Sequence, residues 1–197
     1  MREPLPSGPG RLEFRMAEAE RAAALRAVGG LIRAVPDFPS PGILFRDITP
    51  VLRDPAAMQA ALRLHLDAVA DLAGTIDRIV GVESRGFLFG MPIAHALEVG
   101  FVPARKPGKL PAETVTQAYA LEYGEGTLHM HADAIEAGDR VLLVDDLLAT
   151  GGTAGAAARL VQRLGGEVVA SLFLIELPFL KGRERLAPLR VEALLSF

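Results

Sequence analysis

Cysteine is absent from this sequence, which excludes a disulfide framework, a thiolate metal site and a cysteine nucleophile. Long apolar runs are absent too: no window approaches the roughly 18 uninterrupted apolar residues of a membrane span. The N-terminal MREPLPSGPGRLEFRMAEAE has no apolar core and does not read as a signal peptide. Nor is there a basic excess. Lys and Arg number 21 against 24 Asp and Glu, a net charge of −3, which argues against a nucleic-acid binder. The phosphate-loop patterns G-x-x-x-x-G-K-[ST] and G-x-G-x-x-G are both missing, so the usual NTPase and dinucleotide readings fail. The expectation left standing is a cytoplasmic protein without nucleic-acid or membrane partners. Its 197 residues, half of them apolar, suit one domain with a full core.

What is present is an alternation of strand and helix patterns. Residues 1–15 are rich in Pro, Gly and Arg and read as a disordered or extended tail, with the domain proper expected over 16–197. Leu25, Val28, Leu31, Ile32 and Val35 recur at helical spacing and predict a helix from about Met16 to Ala34, stopped by Pro36. The next segment, PDFPSPGILFRDITP, has prolines at 36, 39, 41 and 50 and must be ordered by its surroundings rather than by its own hydrogen bonds. Asp54 and Pro55 read as the N-cap and first residue of a helix through about Leu72. Buried strands are expected at 77–82, 100–106, 140–146, 166–177 and near 191–197, with helices over 87–99 and 154–166. Residues 113–131 alternate weakly about Gly124 and Gly126, as a hairpin does. This order argues an α/β fold whose mostly parallel sheet is covered on both faces. Ligands of such sheets bind outside the carboxyl ends of the strands. That rule gathers ESRG, RKPGK and DDLLATGGT on one rim, as loops directly after strands.

The stretch VLLVDDLLATGGT, residues 141–153, concentrates the chemistry. Two adjacent carboxylates repel by about 1 kcal/mol at 4 Å even in water. A glycine costs roughly 1 kcal/mol relative to alanine where a helix has to start. A bound ligand would offset both. Between a strand and a helix, the amides of Ala149, Thr150, Gly151, Gly152 and Thr153 can converge on an anion at the positive end of the helix dipole. An ordinary glycine-containing turn is the plainer reading of the loop, and charge compensation at the helix terminus the plainer reading of the acids. Taken together they fit a ribose 5-phosphate, with its phosphate in the loop and its hydroxyls on Asp145 and Asp146.

That stretch resembles the phosphoribosyl-pyrophosphate signature of the type I phosphoribosyltransferases. PDFPSPGILFRDITPVLRDP, GVESRGFLFG, RKPGKLP and YALEYG, in that order, resemble the adenine phosphoribosyltransferases, and ELPFLKGRERLAP (176–188) continues the likeness. The resemblance implies a type I phosphoribosyltransferase fold: a central, mostly parallel twisted sheet flanked by helices, a small N-terminal hood mainly over 35–53, and a β-hairpin flap at about 110–131. It implies the conversion of adenine and phosphoribosyl pyrophosphate to AMP and pyrophosphate, a step of purine salvage. Mg²⁺ would ride on the pyrophosphate, bridged by water to Asp145 and Asp146 without a direct protein ligand. A homodimer is implied too, with cations such as Arg85 or Arg105 borrowed across its interface.

The same resemblance distributes roles. Arg85, Arg105, Lys106 and Lys109 would meet the leaving pyrophosphate, where charge builds as the bond breaks. Glu122 would handle the proton at N7 of adenine, a role worth roughly 10²–10⁴-fold, within a flap that keeps water from the oxocarbenium-like ribose. Leu44, Phe45, Arg46 and Leu147 would form the base pocket, although core packing explains Leu44 and Phe45 equally well. Glu83 stands where the D-S-R-G-F form of its motif has aspartate, keeping the charge with a longer reach. One alternative is a transferase for another purine, whose C6 carbonyl would ask for a lysine after the signature helix that the sequence does not supply. Another is a phosphoribosyl-pyrophosphate-sensing regulator on the same fold, for which the about 35 residues before PDFPSP are too few to hold a winged helix. His129 and His131 have the spacing of two metal ligands but no third nearby. His65 and His95 fall in helical stretches and read as structural or solvated.

Overall fold

The structure, a computed structural model, describes residues 14–120 and 125–197. Helix α1 (Glu18–Leu31) comes first and ends earlier than the apolar spacing predicts. Arg33–Pro36 instead form strand β1, paired antiparallel with β2 (Leu44–Asp47). The helical spacing runs on past Gly29 and Gly30, but pairing with β2 satisfies the backbone of 33–36, and β-branched Val35 suits a strand. The segment expected to form the hood therefore contains a hairpin. Arg33 pairs with Asp47, and Asp47 accepts the Thr49 N–H at 2.9 Å to open the short α2 (Thr49–Arg53).

Helix α3 (Pro55–Ala68) starts as its cap residues predict: Asp54 accepts the Ala57 N–H at 2.9 Å, with Pro55 in the first turn. It stops at Ala68, and a 3₁₀ turn carries the chain through 70–72. Then come β3 (Arg78–Val82), α4 (Gly86–Leu97) and β4 (Gly100–Ala104). The expected hairpin is β5 (Thr114–Ala120) against β6 (Glu125–His131). The remainder is β7 (Arg140–Leu148), α5 (Gly152–Arg163), β8 (Glu167–Glu176), α6 (Gly182–Leu186) and β9 (Val191–Ser196).

Five of these strands form one sheet in the order β4-β3-β7-β8-β9, and every neighbouring pair is parallel. Side chains alternate across it, as the two-residue period of a strand requires. Ile79, Leu142, Val144, Leu172 and Leu174 pack with Leu64, Phe89 and Ile93 of α3 and α4. Val80, Val82, Val141 and Leu143 pack with Ala157, Leu160 and Val161 of α5, together with Leu128 and Met130 of β6. The near-continuous apolar runs of β3, β7 and β8 follow from this, because both faces are covered. α4 and α5 lie on opposite faces, so the chain leaves the adjacent strands β3 and β7 in opposite directions. A crevice opens between those two strand ends, at the switch point where such folds bind ligands.

Candidate active site

That crevice is a cleft of about 320 Å³. Its walls are Glu83 and Arg85 after β3, Lys106 after β4, Tyr119 and Leu128 of the hairpin, and the whole run Asp145–Ala154. The acids lie in the strand, as its expected span 140–146 implies, and the correction concerns its end. β7 runs on to Leu148, with Asp145 opposite Phe173 and Leu148 opposite Glu176, so the first four residues of DDLLATGGT are strand rather than loop. The ten-residue β8, which falls within the strand expected at 166–177, supplies the ladder partners for that extension.

The loop 149–151 turns the chain from β7 into α5. Gly151 has φ 76°, a left-handed conformation that glycine adopts without penalty. It is the N-cap of α5 and provides no side-chain cap, and the first helical bond runs from the Gly155 N–H to the Gly151 carbonyl at 2.9 Å. The amides of Gly152, Thr153 and Ala154 thus have no partner within the helix, and the dipole of α5 makes them a site for an anion. A second glycine supports the turn from behind. A Cβ on Gly151 would come within 2.6 Å of the Gly182 carbonyl oxygen, and one on Gly182 within 2.2 Å of the Ala149 carbonyl oxygen. Arg183 clamps this backing segment to the end of β8 through two bonds to Glu176, at 3.2 and 2.7 Å. Sequence reasoning missed Gly182. Its only signal was the glycine within the LKGRER likeness.

Asp146 is almost fully buried at 3% exposure, and its Oδ2 lies 2.7 Å from Arg85 Nε. Its backbone N–H donates to Asp145 Oδ1 at 2.9 Å. Burial, and next the neighbouring Asp146 charge, push the Asp145 carboxyl well above the ordinary aspartate value. The Asp146 N–H and Arg85 oppose that rise without cancelling it. The pair is therefore a concentration of negative charge in want of a further donor or cation.

The four expected cations do not share one position. Arg85 and Lys106 line the cleft. Arg85 also lies over the Phe45 ring, 5.4 Å from its centroid, and with its side chain 45% exposed it links the acid pair to the hood hairpin. Arg105 faces inward, with Nε donating to Glu83 Oε2 at 3.1 Å and Nη1 to the Lys109 carbonyl at 3.1 Å. Neither Arg105 nor Lys109 lines the cleft.

Of the expected base-pocket residues, Leu147 lines the cleft, while Leu44, Phe45 and Arg46 do not. Phe45 sits edge-on to Phe38 at 5.1 Å, Leu44 is exposed, and the Arg46 guanidinium stacks on Phe197, 4.4 Å from the ring centroid. Glu122, the expected proton handler, lies outside the described residues. His129 anchors the hairpin to the sheet edge through two backbone bonds with Arg105, at 2.8 and 2.7 Å. Among the described residues no cluster of three or more His, Asp or Glu is placed to hold a metal. His65 is buried as expected for a structural role, stacked on Phe89.

Known proteins resemble this chain in sequence and fold. The model of the phosphoribosyl transferase domain matches residues 48–191. An adenine phosphoribosyltransferase of Anaeromyxobacter dehalogenans is 54% identical over 171 residues, 87% of this chain and 98% of that protein. The crystal structure of adenine phosphoribosyltransferase from Thermoanaerobacter pseudethanolicus superposes with a TM-score of 0.84 at 51% identity, covering 88% of this chain and 99% of that one. The Saccharomyces cerevisiae adenine phosphoribosyltransferase, solved in complex with an imino-altritol bisphosphate and adenine, superposes with a TM-score of 0.82 at 46% identity, covering 88% of this chain and 99% of that one. With the likeness spread over nearly the whole chain and nearly the whole of each relative, this protein belongs to the adenine phosphoribosyltransferase family.

Proposed function

We infer that the cleft joins adenine to phosphoribosyl pyrophosphate, giving AMP and pyrophosphate in purine salvage. One observation carries the phosphate half of this reading: the uncapped amide end of α5 stands beside a buried acid pair at the β3/β7 switch point. The choice of adenine rests on the relatives, all three of which are named for that base and matched across almost their full lengths.

The 5-phosphate binds on the amides of 150–153, where it satisfies donors that would otherwise face water. Asp145 and Asp146 accept from the ribose hydroxyls. As the C1–O bond breaks, its electron pair leaves with pyrophosphate while N9 of adenine, bound as the N7–H form, bonds to C1 and the N7 proton passes to the Glu122 carboxylate. Lys106 and Arg85 meet the departing charge, and groups aimed at charge that develops in the transition state contribute most to rate. For Arg85 this requires exchange of its bond to Asp146 for one to the ligand, which its exposed side chain permits. Glu122 handles the proton at N7. Leu147 and the Phe45 side of the hood enclose the base.

Mg²⁺ belongs to the same reading. The oxygen-only acid pair, with the Asp145 carboxylate disfavoured by burial and next by its neighbour's charge, suits a hard cation reached through water. When bound, the ion neutralises charge on the pyrophosphate. A homodimer is supported by α4, apolar apart from His95 yet leaving Leu88 42% and Met91 52% exposed, a face that a second copy would cover. We place the protein in the cytoplasm. No helix among the described residues is long and apolar enough to cross a membrane.

The test is AMP formation from phosphoribosyl pyrophosphate and Mg²⁺ with adenine, hypoxanthine, guanine and xanthine run in parallel. Turnover with adenine alone is expected. Preference for an oxopurine would overturn the base assignment and leave the phosphate site standing. Phosphoribosyl-pyrophosphate binding without turnover of any base would replace the enzyme by a sensor.

A further inference from the structure

The loop that carries Lys106 is fastened to the ESRG loop by one side chain. Glu83 Oε2 accepts hydrogen bonds from the Lys106 backbone N–H at 3.0 Å and from Arg105 Nε at 3.1 Å. Arg105 closes the RKPGK turn by donating to the Lys109 carbonyl, with Gly108 at φ 73° making the bend. The Glu83 side chain is only 13% exposed, so both bonds act where water competes poorly. Burial opposes its ionisation, but the Lys106 amide and Arg105 outweigh that and hold the carboxyl below the ordinary glutamate value. Glu83 and Lys106 both line the cleft, whereas Arg105 and Lys109 do not. Of the three cations on this loop, Arg105 is spent on its shape, Lys109 gives the turn its backbone carbonyl with its side chain exposed, and Lys106 lines the cleft.

We propose that Glu83 is a positioning residue for the pyrophosphate end of the site, fixing the RKPGK loop so that the Lys106 ammonium enters the cleft. The proposal rests on the phosphoribosyl-pyrophosphate reading above. Glu83 touches no reacting atom in this role and acts through Lys106. Both donors converge on that one oxygen, and an arm one methylene shorter draws it back from the amide and the guanidinium alike.

Calorimetric binding of two probes, inorganic pyrophosphate with Mg²⁺ and ribose 5-phosphate, tests it in the wild type, Glu83→Ala, Lys106→Ala and the double variant. Glu83→Ala is expected to weaken pyrophosphate about tenfold and to leave ribose 5-phosphate within about twofold. Lys106→Ala should lose a similar amount, and the double variant little more than either, because one residue acts through the other. Should Glu83→Ala fail to fold, Glu83→Asp reads the same selective loss at about threefold. Unchanged pyrophosphate binding in Glu83→Ala, equal loss of both probes, or losses that add in the double variant would each overturn the proposal. A wild type that binds neither probe would overturn the underlying reading instead, which keeps the two failures apart.

Discussion

At the phosphate end of the cleft the ligand-facing groups come from one contiguous stretch, Asp145–Ala154. At the end proposed for the base the parts come from distant segments, and Phe45 and Arg46 lie outside the cleft's lining: Phe45 on the β1–β2 hairpin meets Arg85 before α4, and Arg46 is held by Phe197 at the far end of the chain. The first end is made mostly of backbone amides whose directions the strand-to-helix turn fixes. The second is made of side chains whose positions depend on the docking of the hood. Phosphate, the same in every phosphoribosyl donor, suits the rigid construction. A base has to be chosen by shape and by edge, and side chains supply that choice.

Four substitutions break or sharpen this contrast, beginning with the largest effect. Gly151→Val puts a side chain on a φ of 76° and against the Gly182 carbonyl, and the turn must move. kcat/KM for phosphoribosyl pyrophosphate should fall about 100-fold, the scale of an ångström's misplacement, in initial-rate assays. Asp145→Asn should lower activity at least about tenfold while raising the melting temperature. At neutral pH the fold disfavours the ionised Asp145, so a neutral isostere removes repulsion of about 1 kcal/mol, or about 2–4 °C for a domain of this size. A melting temperature that falls would show that the acid pair is not strained.

Phe197→Ala removes the ring beneath Arg46. Loss of such a contact at an exposed site is worth roughly 0.5–1 kcal/mol. The KM for adenine should therefore rise about threefold with the KM for phosphoribosyl pyrophosphate unchanged, and equal rises in both would erase the distinction between the two ends. The smallest effect on turnover is expected at His65, remote from either end. Burial depresses its pKa from 6.5 to about 4, against a bond to the Ala61 carbonyl that favours the charged form. Between those values the unfolded chain binds the proton and the folded one does not, so stability is full above pH 6.5 and falls as pH drops toward 4, by up to about 3 kcal/mol. Urea midpoints of the wild type should fall between pH 7 and pH 5 by more than those of His65→Leu, with neutral-pH activity unchanged.

The same contrast explains what could be read from the sequence. The β7–α5 loop was legible because all its parts are adjacent in the chain: apolar strand, acids, glycines and helix follow one another within VLLVDDLLATGGT. The parallel sheet was legible because burial of both faces leaves uninterrupted apolar runs. The Arg85–Asp146 bond, the Arg46–Phe197 stack and the Gly182 backing of Gly151 join residues far apart in sequence, and spacing carries no record of them. The overlong expected helix at 16–34 has a related cause, since the local apolar period continued while pairing of Arg33–Pro36 with Leu44–Asp47 decided the structure. Arg105 was expected to face the ligand because charge was legible and direction was not. Its bonds to Glu83 and to the Lys109 carbonyl turn it away from the cleft.

The most direct test is a crystal structure of the protein soaked with ribose 5-phosphate. The phosphate is expected on the backbone amides of 150–153, with donor–acceptor distances of about 2.7–3.2 Å, and the ribose hydroxyls on Asp145 and Asp146. Phosphate bound instead at the hood, or beside Lys109 and away from the start of α5, would contradict the assignment of the β3/β7 crevice as the phosphoribosyl site.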